Sequence, residues 1–167
     1  MKNPRALGVD IGNVIINHRL SDPNDKTLHE ERYSTIPSTE GVFGALNKLN
    51  VIFDGNVYLI SKCTEWAEKK ILAWLDDNGF YPKTGINSKN IFFVRERHEK
   101  DAVCRKLGIT HFVDDRLEVL SHMVESTPNL FLYQPDKDEV NEFEEFLPKV
   151  TIVNSWKEIT DNLSQSC

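Results

Sequence analysis

Apolar residues along this chain fall into short unbroken runs, separated by stretches in which they recur every three or four positions. The first run, residues 6–9, ends on Asp10. Residues 57–60, 91–94, 111–113 and 130–133 make four more, and residues 150–153 are a candidate sixth. Runs this short, with no polar alternation, mark strands buried on both faces. Between them the spacing turns helical. Val42, Phe43, Leu46 and Leu49 follow Ser38-Thr39, a candidate cap. Ala67, Ile71, Trp74 and Leu75 follow a second capping residue, Thr64, and stop at Gly79. A short helix from about Glu99 ends at Gly108, and Leu117, Leu120, Met123 and Val124 form another stripe. Helices through Val140, Phe143 and Phe146 and through Trp156, Ile159 and Leu163 complete the pattern. Trp66, Trp74 and Trp156 are read as core. Residues 15–38 interrupt it, because Asn17, Ser21, Asp22, Pro23, Asn24, Asp25 and Pro37 predict a long loop.

Buried strands alternating with helices predict a three-layer α/β/α, Rossmann-like parallel sheet of five to six strands, built as one domain over residues 1–167. Right-handed crossovers put the C-terminal ends of all strands on one edge, where ligands bind in such sheets. The composition agrees. With 40% hydrophobic and 28% charged residues in 167, the chain is neither disordered nor fibrous. A net charge of −6 argues against a nucleic-acid binder that grips phosphates by bulk charge. The three cysteines, Cys63, Cys104 and Cys167, are odd in number and lack metal-site spacing, so they read as free thiols of a reducing compartment. Neither a signal-peptide core nor an apolar run of about 20 residues is present, which predicts a cytoplasmic protein without a membrane span.

The chemistry lies at the C-terminal end of each strand. After the first comes Asp10-Ile11-Gly12-Asn13-Val14; after the second, Ser61-Lys62-Cys63-Thr64; after the third, Arg95-Glu96-Arg97-His98; after the fourth, Asp114-Asp115-Arg116. The first and fourth strands thus deliver carboxylates to the same edge. A lone aspartate after a strand is commonly a turn or helix cap. Three converging ones repel, by about 4 kcal/mol per pair at 4 Å for an effective dielectric of 20. A hard divalent cation relieves this, and Mg²⁺ is the usual one beside phosphates.

These strand ends resemble the haloacid dehalogenase superfamily over nearly the whole chain. Leu7-Gly8-Val9-Asp10-Ile11-Gly12-Asn13-Val14 matches the first and last positions of its Asp-x-Asp-x-Thr/Val motif, Leu59-Ile60-Ser61 its second motif, Lys100 its third and Phe112-Val113-Asp114-Asp115 its fourth. The resemblance implies a Mg²⁺-dependent phosphatase. Asp10 is the implied nucleophile, which would form an aspartyl-phosphate. Ser61 would donate to a phosphate oxygen and Lys100 would neutralise charge. Asp10, the Gly12 carbonyl and Asp115 would hold the metal, with Asp114 a ligand or its hydrogen-bonded partner. Asn13, Lys62, Arg95 and Arg97 are candidate substrate contacts, the two arginines as anion readers within a basic stretch that runs to Arg105 and Lys106.

Gly12 departs from the family, whose phosphatases usually carry a general acid/base aspartate there. General acid–base help is worth about 10²–10⁴-fold. The chain is then a slow phosphatase, one that uses another proton carrier such as His18, His98 or Glu96, or a phosphoryl- or metal-binding domain without catalysis. A response-regulator receiver fits less well, since its acidic pair follows the first strand. The insertions are too short for a cap domain. The loop of His18, Arg19, Asp25 and Lys26 would be a minimal lid, leaving a site open to a phosphorylated small molecule or a larger phosphorylated substrate.

Overall fold

The computed structural model describes residues 4–20 and 33–165. Asp25 and Lys26 of the expected lid, and Cys167, lie outside them. Six parallel strands form one sheet in the order β3-β2-β1-β4-β5-β6: β1 Leu7–Val9, β2 Val57–Lys62, β3 Ile91–Val94, β4 His111–Asp114, β5 Asn129–Tyr133 and β6 Thr151–Val153. The expected parallel sheet is therefore present at the upper strand count. β1 lies between β2 and β4, with Val9 level with both Leu59 and Val113.

Helices cover both faces, and alternation along each strand divides the core accordingly. Leu7, Val9, Val57, Leu59, Val113 and Phe131 face α1 (Val42–Ile52), α2 (Glu65–Asp77), α3 (Phe80–Thr84) and α7 (Trp156–Ser164). Ile60, Phe112, Leu130 and Leu132 face α4 (Glu99–Leu107) and α5 (Leu117–Ser121), with α6 (Lys137–Glu142) packed beside α5. No helix among the described residues is long and apolar enough to cross a membrane.

Several local expectations change. Ser38 and Thr39 do not cap α1, which starts after the left-handed Gly41 without a side-chain cap. The Thr39 hydroxyl instead donates to the Val14 carbonyl at 2.6 Å and accepts from the Trp156 indole at 3.1 Å. Trp66 is 48% exposed on the first turn of α2 with Lys70 over its ring, whereas Trp74 and Trp156 are buried as expected. α3 follows Gly79 directly and lacks an apolar stripe long enough to announce it. The helix through Val140 breaks at Phe143 into a 3-10 helix over Glu144–Lys149. The described ends of the 15–38 stretch, residues 15–20 and 33–38, are less loop-like than their polarity suggests. Ile15, Ile16 and Ile36 are buried, and Ile16 bridges to both Gly12 and Ser38.

Gly8 explains how β1 and β4 meet. A Cβ at Gly8 would stand 2.5 Å from Cδ2 of the buried Phe112 ring. Gly8→Ala should therefore destabilise the fold by about 1–3 kcal/mol, as overpacked cores do. The urea midpoint should fall at unchanged slope.

Candidate active site

Register brings the acidic strand ends together. Val9 pairs with Val113, so the next residues, Asp10 and Asp114, stand side by side, and the Asp10 amide donates to the Val113 carbonyl at 2.9 Å. From the first turn of α4, Lys100 enters between them. Its Nζ donates to Asp10 Oδ1 at 2.9 Å and to Asp114 Oδ2 at 2.8 Å, and only 2% of the residue is exposed. Burial opposes its charge, but the carboxylates of Asp10 and Asp114 outweigh burial and hold the ammonium above the usual lysine range.

One cation does not neutralise three acids. One oxygen from each of Asp10, Asp114 and Asp115 lies within 4.8 Å of the others. Burial, followed by the charge of Asp10, pushes Asp114 up to about 6, despite bonds from Lys100 and the Arg116 amide. Asp115 is pushed further, to about 8, by burial and then by Asp10 and Asp114; Arg19, 3.8 Å away, opposes this in part. A donor set of hard carboxylate oxygens with surplus negative charge fits a divalent cation.

These groups line an open cleft of about 380 Å³ at the C-terminal edge of the sheet. Among the predicted residues it gathers Asp10, Gly12, Asn13, Ser61, Lys62, Arg97, Lys100, Asp114 and Asp115. Arg95 is not on its lining. It pairs with Glu68 at 2.7 Å and donates to the Cys63 carbonyl at 3.0 Å, so its fork is spent fixing the link from β2 to α2. Asn13 takes a left-handed φ of 62°, and its Oδ1 is buried with no partner. Gly12 is not left-handed, and a Cβ there would meet only His18 Cδ2, at 3.8 Å. Of the three alternative proton carriers, His18 lines the cleft, its Nε2 3.5 Å from the Tyr33 hydroxyl; Glu96 and His98 do not line it.

Sequence reasoning missed Tyr33 and Arg116 on the lining, and the role of Arg19. Tyr33 sits in the polar stretch without a motif, and burial, then Cys63, pushes its phenol up to about 12. Arg116 follows the acidic pair directly, and that position was its only signal. Arg19 donates to the side chain of Gln134 at 3.1 Å and to its carbonyl at 2.9 Å, tying the segment after β1 to the end of β5.

No protein-family model matches the sequence, and no curated protein matches it. Solved structures do match. The D,D-heptose 1,7-bisphosphate phosphatase from B. bronchiseptica, complexed with magnesium and phosphate, superposes with a TM-score of 0.71 at 13% identity, over 98% of this chain and 99% of that one. A HAD-superfamily hydrolase from Ehrlichia chaffeensis gives 0.61 at 11% identity over 99% and 98%, and a haloacid dehalogenase-like hydrolase from Burkholderia xenovorans LB400 gives 0.63 at 12% over 95% and 98%. The chain shares their fold. Identities this low establish architecture alone.

The carboxylate crowding makes a prediction for the protein in EDTA. A folded-state pKa of about 8 for Asp115, against 3.8 for an ordinary aspartate, means that the folded state binds the extra proton. Stability therefore falls as pH rises toward 8. His111, lowered to about 4 by burial and then Arg5, acts oppositely only below its ordinary value of 6.5. Lys100 is raised and stays charged throughout. Between pH 6.5 and 8.5 the wild type should lose about 1–2 kcal/mol, since each tenfold difference in proton affinity is about 1.4 kcal/mol. Urea unfolding of Asp115→Asn should show a flat profile over that range.

Proposed function

We propose that this chain is a haloacid dehalogenase-like phosphomonoester hydrolase with a minimal cap, using Mg²⁺ and an aspartyl-phosphate on Asp10. The observation that supports this best is the buried Lys100 bridging Asp10 and Asp114, with Asp115 beside them, in a cleft at the sheet's C-terminal edge. The phosphatase of the same fold with bound magnesium and phosphate agrees with this reading.

Asp10, the Gly12 carbonyl and Asp115 would hold the ion, and Asp114, fixed by Lys100 and the Arg116 amide, would steady it. Bound there, Mg²⁺ supplies charge that lets a phosphate dianion approach three carboxylates. Lys100, hydrogen-bonded to Asp10 at 2.9 Å, holds the nucleophile's carboxylate in place. Asp10 attacks phosphorus, the ester oxygen leaves, and water then hydrolyses the acyl phosphate, releasing inorganic phosphate and freeing Asp10. Ser61 donates its hydroxyl to a phosphoryl oxygen, and Asn13 and Lys62 contact the substrate. His18, beside the missing acid, carries the leaving-group proton. The segment that carries His18 and Arg19 would act as the minimal lid of a single domain, leaving room for a phosphorylated metabolite or a larger phosphorylated substrate. The free thiols Cys63 and Cys104 suit a cytoplasmic setting. A non-catalytic phosphoryl-binding domain is the second reading, favoured by Gly12.

Three measurements test the proposal. Mg²⁺ should raise the thermal midpoint of the wild type by mass action, and Asp115→Ala should abolish that rise; an unchanged response would place the ion elsewhere. Asp10→Asn should remove turnover of p-nitrophenyl phosphate. Gly12→Asp meets neither a left-handed φ nor a steric block. It should raise turnover of alkyl phosphates by about tenfold or more and of aryl phosphates by less, because poor leaving groups need the proton most. If wild type and a folded Gly12→Asp both leave every ester untouched, the binding-domain reading stands.

A further inference from the structure

The cleft has a second cationic feature, which the proposed chemistry does not use. Arg97, between β3 and α4, and Arg116, between β4 and α5, both line it. Both guanidiniums reach the same oxygen, Glu118 Oε2, at 3.1 and 3.4 Å. One carboxylate oxygen shared by two forks leaves positive charge in excess. Arg116 Nε is enclosed by protein and has no acceptor, although buried donors are nearly always paired. Glu118 is held in turn, since its amide and that of Leu117 donate to the Glu139 carboxylate. Arg95 shows the contrast. Its fork is closed by Glu68 and the Cys63 carbonyl, as in a structural ion pair.

The cleft is also two-sided. The arginines stand with α4 and α5, while Tyr33, Ala67 and Ile71 supply an aromatic and aliphatic wall on the α2 side. Its volume of about 380 Å³ falls in the range of small-molecule sites. In the proposed reaction Lys100 and Ser61, both on the cleft lining, take the reacting phosphoryl.

We propose that the substrate carries a second anionic group, a phosphate or a carboxylate separate from the phosphoryl that reacts, seated on Arg97 and Arg116. This rests on the phosphatase reading. Guanidinium forks favour such oxyanions geometrically as well as by charge. The carbon skeleton between the two anions would lie against Tyr33 and Ile71.

Binding tests this independently of turnover. Asp10→Asn protein with Mg²⁺ is titrated calorimetrically with two matched pairs: glycerol 3-phosphate against 3-phosphoglycerate, and glucose 6-phosphate against glucose 1,6-bisphosphate. The doubly anionic member of at least one pair should bind about tenfold tighter or more, and the pair that responds tells carboxylate from phosphate. Adding Arg97→Ala and Arg116→Ala should collapse that gap, with folding confirmed by a retained Mg²⁺ thermal shift. Glu118→Gln keeps both forks and removes their internal counter-ion, so it should widen the gap. Equal binding within both pairs overturns the inference, as does no binding at all. An equal loss on both members, which would put the arginines on the reacting phosphoryl, also overturns it, and so does a narrowed gap in Glu118→Gln. A clear preference, when wild type and a folded Gly12→Asp both leave every ester untouched, would overturn the phosphatase reading and leave the double-anion site standing.

Discussion

The site depends on one buried ammonium group. Lys100 reaches from α4 across the sheet edge and holds the carboxylates that end β1 and β4, two segments about a hundred residues apart in the chain. Removing one partner of a buried pair typically costs about 3–5 kcal/mol, because the charge left behind has no water to turn to. Asp114 would be left buried with one backbone donor, the Arg116 amide. The rest of the edge is arranged to make that contact possible. Gly8 lets β1 lie against the Phe112 ring, the register levels Asp10 with Asp114, and the first turn of α4 aims Lys100 at both. Asp115 then adds the negative charge that Lys100 leaves uncompensated, and this surplus suits the edge to a cation.

The two walls of the cleft are built from the two helical layers. The layer of α4 and α5 supplies Lys100, Arg97 and Arg116, and the layer of α2 supplies Ala67 and Ile71. The charged wall and the apolar wall are thus divided by the sheet itself. Such a division is natural in open parallel sheets, where loops from both layers meet at one edge.

Much of this was legible because the signals were local. Continuous apolar runs gave the strands, and the residues after them gave Asp10, Ser61, Asp114 and Asp115 directly. Lys100 was legible only through family resemblance, since nothing in a basic stretch marks which cation turns inward. Arg95 and Arg97 show the limit. Two residues apart, they look equivalent in sequence, yet Glu68 claims one and the cleft the other. That outcome depends on how α2 packs, which no local pattern states. Thr39 is similar. A hydroxyl before a helix reads as a cap, but two long-range partners compete for it and win. Ile15, Ile16 and Ile36 were hidden by the polar residues around them.

The Trp156 indole has a consequence for the order of events during synthesis. It donates to the Val14 carbonyl at 2.9 Å across 142 residues, and with Thr39 it clamps the segment that carries Gly12 and Asn13. A ribosome delivers β1 before α7. Contacts of such separation cannot form until the later partner has emerged. The nascent chain therefore displays Asp10 and its neighbours long before the anchor that steadies them exists. A product that stops short of α7 would lack this anchor even with Asp10, Gly12 and Asn13 in place.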